Sequence, residues 1–248
     1  MKRRRHPMYY PYYYYDWTML VLVLPCMIFA MIASSRVNST FKKYSQQRSM
    51  RGLTGAEAAQ RVLRHNGVTG VRIERVSGNL TDHYDPKTNV IRLSDSVYSS
   101  TSTAAIGVAA HEAGHAVQYA QNYAPIKLRA AIIPITNIGS RLAMPLIMLG
   151  ILLGALGNYS YLLVDLGIAA FGLSFVFQMI TLPVEFNASR RAMVAIENAQ
   201  LLTDEEQRGA RKTLKAAAMT YVAATAVALA QLLRLIILFG GRGRRRND

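Results

Sequence analysis

Five residues carry most of the chemistry that can be read in this chain: His111-Glu112-Ala113-Gly114-His115. On an α-helix, positions four apart lie one above the other, so His111 and His115 can offer two imidazole nitrogens to one metal ion. Glu112 is then held beside the ion and not on it, where it can take a proton from water that the ion activates. The chain has only 5 histidines in 248 residues, so this spacing is a poor candidate for coincidence. The plainer alternative is a helix that carries two ordinary histidines, and what precedes and follows the motif speaks against it.

Zinc held by two histidines needs a third protein ligand, and a catalytic site leaves the fourth position to water. His6 is remote, and His65 is predicted to end a surface helix. The remaining candidates are His83, Asp82, Asp85, Asp165, Glu185, Glu197 and the acids at 204–206. Glu185 is favoured on local grounds. It is predicted to open a helix returning from the membrane, beside Phe186 and Ala188, an odd place for an unpaired acid. The competing reading is a glutamate that complements its own helix N-terminus. His83 is the strongest rival as a ligand, and it could instead touch substrate or the developing oxyanion. Asp165, near a predicted turn at the membrane edge, reads as a solvated or capping acid. Zinc in such a site lowers the pKa of its water to roughly 7; Glu112 accepts that proton and passes it to the leaving amine.

The elements that must position these residues follow from the apolar pattern. Four apolar runs, 18–33, 132–156, 161–183 and 216–239, imply a multi-pass protein of the cell membrane with the lipid bilayer as its surroundings. Trp17 and Tyr12 to Tyr15 precede the first run as an interfacial aromatic belt would. The only cysteine, Cys26, lies inside that run, so neither an intramolecular disulfide nor a cysteine-based zinc site is available. The first run is expected to be a retained anchor, since no clear small-x-small cleavage site follows it.

Thr54-Gly55-Ala56-Glu57 has the capping-box pattern and predicts a helix over 55–66, with Gly67 just past its end. Residues 71–76 alternate as a half-buried strand, 80–84 and 90–93 read as two more, and Asp85 to Asn89 as the turn between those. Strand 90–93 is expected to offer an edge to an extended substrate. The motif helix is predicted to start near Ser102 or Thr103 and end near Asn122, packed on most sides because it is rich in Ala and Gly. Pro183 suits the first turn of a new helix, and Thr203-Asp204-Glu205-Glu206 is a second capping box that opens the last one.

The fold class expected is mostly α with a small β-sheet: a zincin-like catalytic unit fused to about four transmembrane helices. Its parts are a basic, Tyr-rich lead (1–17), a first span (18–34), the catalytic part (35–131) and a membrane hairpin (132–183). A helix bearing the third ligand (184–215), a last span (216–240) and a basic tail (241–248) complete it.

The net charge of +15 does not point to nucleic acid, because the cations are dispersed or flank apolar segments and no aromatic-basic signature accompanies them. Anionic lipid headgroups account for them more simply.

Three stretches together resemble the YugP-type family of membrane zinc metallopeptidases: the run around His111–His115, Leu80-Thr81-Asp82-His83-Tyr84-Asp85-Pro86, and Val184-Glu185-Phe186-Asn187-Ala188-Ser189-Arg190-Arg191. The resemblance runs from about Ser39 to the C-terminus. It implies Zn2+ as cofactor, His111, His115 and Glu185 as its ligands, Glu112 as catalytic base, and a peptide or membrane-protein substrate. The chain is also similar to HtpX-type membrane peptidases, where a hairpin separates the His-Glu-x-x-His helix from a Glu-x-x-x-Asp helix. Here Ser189 stands where that Asp would, so the resemblance supplies no carboxylate to orient a ligand histidine. Lys2 to Arg5 also depart from the family's expected pattern.

Two rivals remain. A site-2-type intramembrane protease would need a distal Asp-Gly, which Val164-Asp165-Leu166-Gly167 lacks. A non-catalytic membrane scaffold with a structural zinc site would have no use for Glu112. Sidedness rests on cation counts near the spans. The tails carry eight Lys or Arg, whereas Arg36, Lys42, Lys43, Arg48, Arg51, Arg211, Lys212 and Lys215 flank the spans on the catalytic side, and the hairpin turn on the tails' side carries no charge. Counted within about 15–20 residues of a span, the catalytic side is slightly richer, which favours a cytoplasmic active site.

Overall fold

The computed structural model describes residues 16–154 and 158–239. The tyrosines Tyr12 to Tyr15, the cations Lys2 to Arg5, part of the hairpin turn and the basic tail lie outside the described residues. The chain is mostly helical, with one small sheet. In order it forms α1 (Leu24–Ser45), entered through a π-helical stretch Met19–Val23, then α2 (Gly55–His65), β1 (Arg72–Val76), β2 (His83–Asp85) and β3 (Val90–Ser94). The short α3 (Asp95–Tyr98) leads to α4 (Thr103–Ala120), α5 (Ala124–Leu152), α6 (Asn158–Asn198) and α7 (Asp204–Phe239). Four helical stretches are long and apolar enough to cross a membrane: Met19–Ser45, Ala124–Leu152, Ser160–Asn198 and Asp204–Phe239.

Both capping boxes form. The Thr54 hydroxyl accepts from Glu57 N–H while the Glu57 carboxylate accepts from Thr54 N–H, closing both orphan donors at the start of α2. Thr203 and Glu206 do the same for α7, and Glu206 also accepts from the Met50 N–H at 2.7 Å, tying α7 to the segment after α1.

The three strands lie in the order β1-β3-β2, with β1 parallel and β2 antiparallel to β3. This corrects the expectation of a substrate edge at 90–93. β3 is the central strand, paired on both sides, and its Val90, Ile91 and Leu93 are fully buried. The free edges belong to β1 and to β2, which is shorter than the strand expected over 80–84.

α4 is the centre of the molecule. Ser102 caps it by accepting from Ala105 N–H, and its small residues pack into one core with Val62 and Leu63 of α2, Ile91 and Leu93 of β3, and Ile196 and Leu214 from α6 and α7. Two glycines set these approaches. A Cβ on Gly114 would stand 2.8 Å from the Ala188 carbonyl oxygen of α6, and one on Gly107 would stand 3.2 Å from Ala210 of α7. Only residues without a side chain let the backbones come this close.

No new helix starts at Pro183. α6 runs unbroken from Asn158 to Asn198 with Pro183 inside it, so Glu185 sits in mid-helix and cannot be complementing a helix N-terminus. Proline fits a first turn because its missing N–H costs nothing there. In long apolar helices, packing against neighbours outweighs that preference, as at Pro134 and Pro145 within α5. At 1.5 Å per residue, the 41 residues of α6 span about 60 Å, roughly twice a hydrocarbon core. The excess length carries Glu185 alongside α4.

Candidate metal centre

The i, i+4 spacing of α4 stacks the rings of His111 and His115 with centroids 4.7 Å apart, edge to face. Glu185 meets them from α6. Its Oε2 lies 3.3 Å from His111 Nε2 and 3.5 Å from His115 Nε2. Donor atoms of the three residues all lie within 4.8 Å of one another, and among the described residues this is the group that could hold a metal ion. The fit to zinc is geometric. Ligands at about 2.0–2.1 Å from an ion, at tetrahedral angles, stand about 3.3–3.4 Å apart. The two carboxylate–imidazole separations, 3.3 and 3.5 Å, lie close to that spacing, and two imidazoles with one carboxylate are a donor set zinc accepts.

The other polar atoms of the three side chains are tied away from this point. His111 Nδ1 is hydrogen-bonded to Ser189 Oγ at 3.1 Å, and His115 Nδ1 donates to Gln118 Oε1 at 3.0 Å. With a hydrogen on each Nδ1, both Nε2 lone pairs would face the shared point and be free for a metal ion. Gln118 is fully buried and cannot turn round, because its amide group donates to Val184 O at 2.8 Å and to Asn187 Oδ1 at 2.9 Å. Arg129 of α5 donates to Glu185 Oε1 at 2.8 Å, so one carboxylate oxygen is held while the other faces the histidines. Tyr221 of α7 faces the same carboxylate.

Glu185 is 2% exposed, so its charge has little water to stabilise it and relies on these donors. Burial disfavours a charged His115, yet the carboxylates of Glu185 and Glu112 outweigh burial and hold its pKa above the ordinary value. Two acids and two imidazoles thus make a pocket that favours a cation, whether proton or metal. Asp82, beside β2, is pushed above the usual carboxylate range by burial and by the Glu112 charge, against hydrogen bonds from Ser94 N–H at 2.7 Å and Ser94 Oγ at 3.0 Å.

A cavity of about 250 Å³ opens over the three donors, with Glu112, Arg129 and Tyr221 in its walls. A second, of about 300 Å³, lies on the α1 and α7 side and shares Asp82, His111, Glu112 and Tyr221 with the first. His83 stands exposed on the rim of the first, its Nδ1 2.9 Å from Thr81 O, and is not one of the converging donors. Asp165 and Glu197 are exposed and line neither cavity. Asp85 accepts from Lys87 N–H and Thr88 Oγ1 in its turn, and Asp204 and Glu205 lie exposed at the start of α7.

Sequence reasoning missed Gln118, Arg129 and Tyr221. Gln118 left a usable signal: it lies three residues after His115, on the same face of α4. Arg129 and Tyr221 left none, since each arrives from a different helix.

Across residues 19–240 the chain matches the family described as "Putative neutral zinc metallopeptidase". It is 47% identical over 207 residues to "Putative membrane protease YugP" of Bacillus subtilis (strain 168), a stretch covering 84% of this chain and 90% of that protein. No solved structure matches it. The chain belongs to the family so described.

Proposed function

We propose that this family member is an integral-membrane, zinc-dependent endopeptidase that hydrolyses peptide bonds in peptides or membrane proteins, with His111, His115 and Glu185 holding the metal. The observation that carries the reading is the convergence of three ligand atoms within 4.8 Å at the floor of a cavity that Glu112 also lines. Zinc, when bound, supplies Lewis-acid activation of water and of a carbonyl group.

The chain's own residues account for the rest. Glu112 accepts the proton of the attacking water and returns it to the leaving amine. It lines both cavities, so a substrate lying through them would present its scissile bond at this residue. Room on both sides of Glu112 supports cleavage within a chain rather than at its end. Tyr221, lining both cavities, is positioned to donate to the carbonyl oxygen as negative charge develops there. Arg129 keeps the Glu185 carboxylate oriented through its 2.8 Å bond. β2, an edge strand whose His83 and Tyr84 line the cavity, is the strand to which an extended substrate would add.

The test is a Glu112→Gln variant of the purified chain assayed for zinc and for cleavage of an unfolded polypeptide. The variant should keep about one zinc and lose at least about a hundredfold in rate, the usual scale for a general base. Cleavage at the wild-type rate would remove Glu112 from the mechanism, and a metal-bound wild type without activity would favour a scaffold.

The active site is proposed to face the cytoplasm, from the cations that flank α1 and α7 on that side. Membrane-impermeant thiol labelling of Ser45→Cys in a Cys26→Ser background should fail in intact cells and succeed in lysed ones. Labelling in intact cells reverses the orientation.

A further inference from the structure

α1 and α7 pack antiparallel along their length. At one end Arg234 donates to Asp16 Oδ2 from Nη2 at 2.6 Å and from Nε at 2.8 Å, and at the other Tyr44 lies against Gly209. One face of this pair walls the cavity that holds His111 and Glu112, through Asn38 and Phe41 of α1 and Leu214 and Thr220 of α7. The other face forms a separate groove of about 350 Å³.

That groove is chemically divided along its length. Arg36 and Lys43 of α1 and Lys212 and Lys215 of α7 line it, and no acid does. None of the four makes an ion pair among the described residues, and all four are exposed. Further from the catalytic end the lining turns apolar, with Phe29 and Ile32 of α1 facing Met219 of α7. Four cations without an ion pair among the described residues, above an apolar slot and on helices long enough to cross a membrane, match one amphiphile: a negative headgroup with an acyl chain below it.

We infer that this groove binds one anionic phospholipid, its phosphate held between the cations of α1 and α7 and its acyl chain along Phe29, Ile32 and Met219. The lipid bridges the two helices on the face turned away from the second cavity, so its binding braces the wall that Asn38, Phe41, Leu214 and Thr220 give that cavity beside Glu112. Nothing in this assignment depends on whether the chain cleaves peptides.

The experiment uses the full chain in detergent, with bound phosphatidylglycerol and phosphatidylcholine counted by native mass spectrometry. Wild type should retain phosphatidylglycerol at least roughly tenfold more strongly than phosphatidylcholine, since basic side chains at the headgroup level favour an anionic lipid. In Lys212→Gln/Lys215→Gln the preference should fall to within about twofold, with phosphatidylcholine binding unchanged. Arg61→Gln/Arg64→Gln, which removes the same charge from α2, should leave the preference intact. Should the α7 variant misfold, Arg36→Gln/Lys43→Gln gives the same reading from α1. Equal retention of the two lipids by wild type overturns the inference, as does a preference that survives both groove variants. Displacement of the lipid by millimolar inorganic phosphate would mean an anion site without lipid recognition, and would overturn it too.

Discussion

Ser189 Oγ lies 3.1 Å from Nδ1 of His111, one helical turn beyond Glu185 on α6. The sequence reading leaves this place without a carboxylate to orient the histidine, and a hydroxyl occupies it. A neutral hydroxyl orients the ring as a carboxylate would, but it makes the imidazole a weaker electron donor. His115 is likewise held by a neutral group, Gln118, at 3.0 Å. Both candidate ligand histidines are therefore oriented without added negative charge, and the anionic character of the centre comes from Glu185 and Glu112.

The first prediction separates Glu185 from His83. Zinc content of purified Glu185→Ala should fall severely, because the group whose Oε2 faces both imidazoles at 3.3 and 3.5 Å is gone. His83→Ala should keep its metal, since that ring stands on the cavity rim against Thr81 O. Zinc retained without Glu185 and lost without His83 would make this a three-histidine site.

Gln118→Ala and Ser189→Ala should each weaken zinc affinity by about 10–100-fold, the usual cost of removing a group that orients a ligand. Competition with a chelator of known affinity measures this. Gln118→Ala should also lower stability by about 1–3 kcal/mol, because His115 Nδ1, Val184 O and Asn187 Oδ1 lose a buried partner together. Wild-type affinity in both variants would show that the rings are held by packing alone.

Gly114→Ala tests the close approach of α4 and α6. The new methyl would meet the Ala188 carbonyl oxygen at 2.8 Å, and a backbone atom cannot swing aside. Overpacking of this kind costs about 1–3 kcal/mol and here also moves Glu185 away from the histidines. Gly172→Ala, which meets only Leu232 Cδ1 at 4.0 Å, should be neutral or slightly stabilising. Thermal melts with zinc analysis on both proteins check the pair, and a Gly114→Ala protein with native Tm and full zinc would refute the tight-contact reading.

The turn between β2 and β3 carries a pH dependence. Hydrogen bonds from Thr88 Oγ1 and Lys87 N–H, with Arg92 beside them, hold Asp85 at about 2, below its ordinary 3.8. A depressed folded-state pKa means the contribution is complete above the unfolded value and is lost as pH falls through the folded one. The Tm gap between wild type and Asp85→Asn should be constant from neutral pH to about 5 and shrink as pH falls from about 4 towards 2. A gap that persists unchanged at pH 2 would assign the turn's stability to something other than this carboxylate.

Local patterns, periodic and short in range, were enough to specify much of this protein. The capping boxes at Thr54 and Thr203, the motif helix with its paired histidines, and the apolar helices each depend on neighbours within a few residues or on one uninterrupted run. Pairing was less legible. Three strands could be read, but β3 lies between β1 and β2 because a parallel β1–β3 crossover buries Val90, Ile91 and Leu93, and no local signal encodes that order. Pro183 misled for a related reason: its local preference for a helix start was overridden by the packing that keeps α6 continuous.

Tertiary structure alone assembled the centre. Arg129, Tyr221 and Ser189 come from α5, α7 and α6, so their places beside His111 and Glu185 follow from helix packing and not from spacing along the chain. Gly107 and Gly114 set how near α4 comes to α7 and α6, and no single-helix pattern says which backbone a glycine will meet. Sequence could name the donors that sit four apart. Only the packed helices could bring a glutamate 70 residues beyond His115 to within 3.5 Å of it.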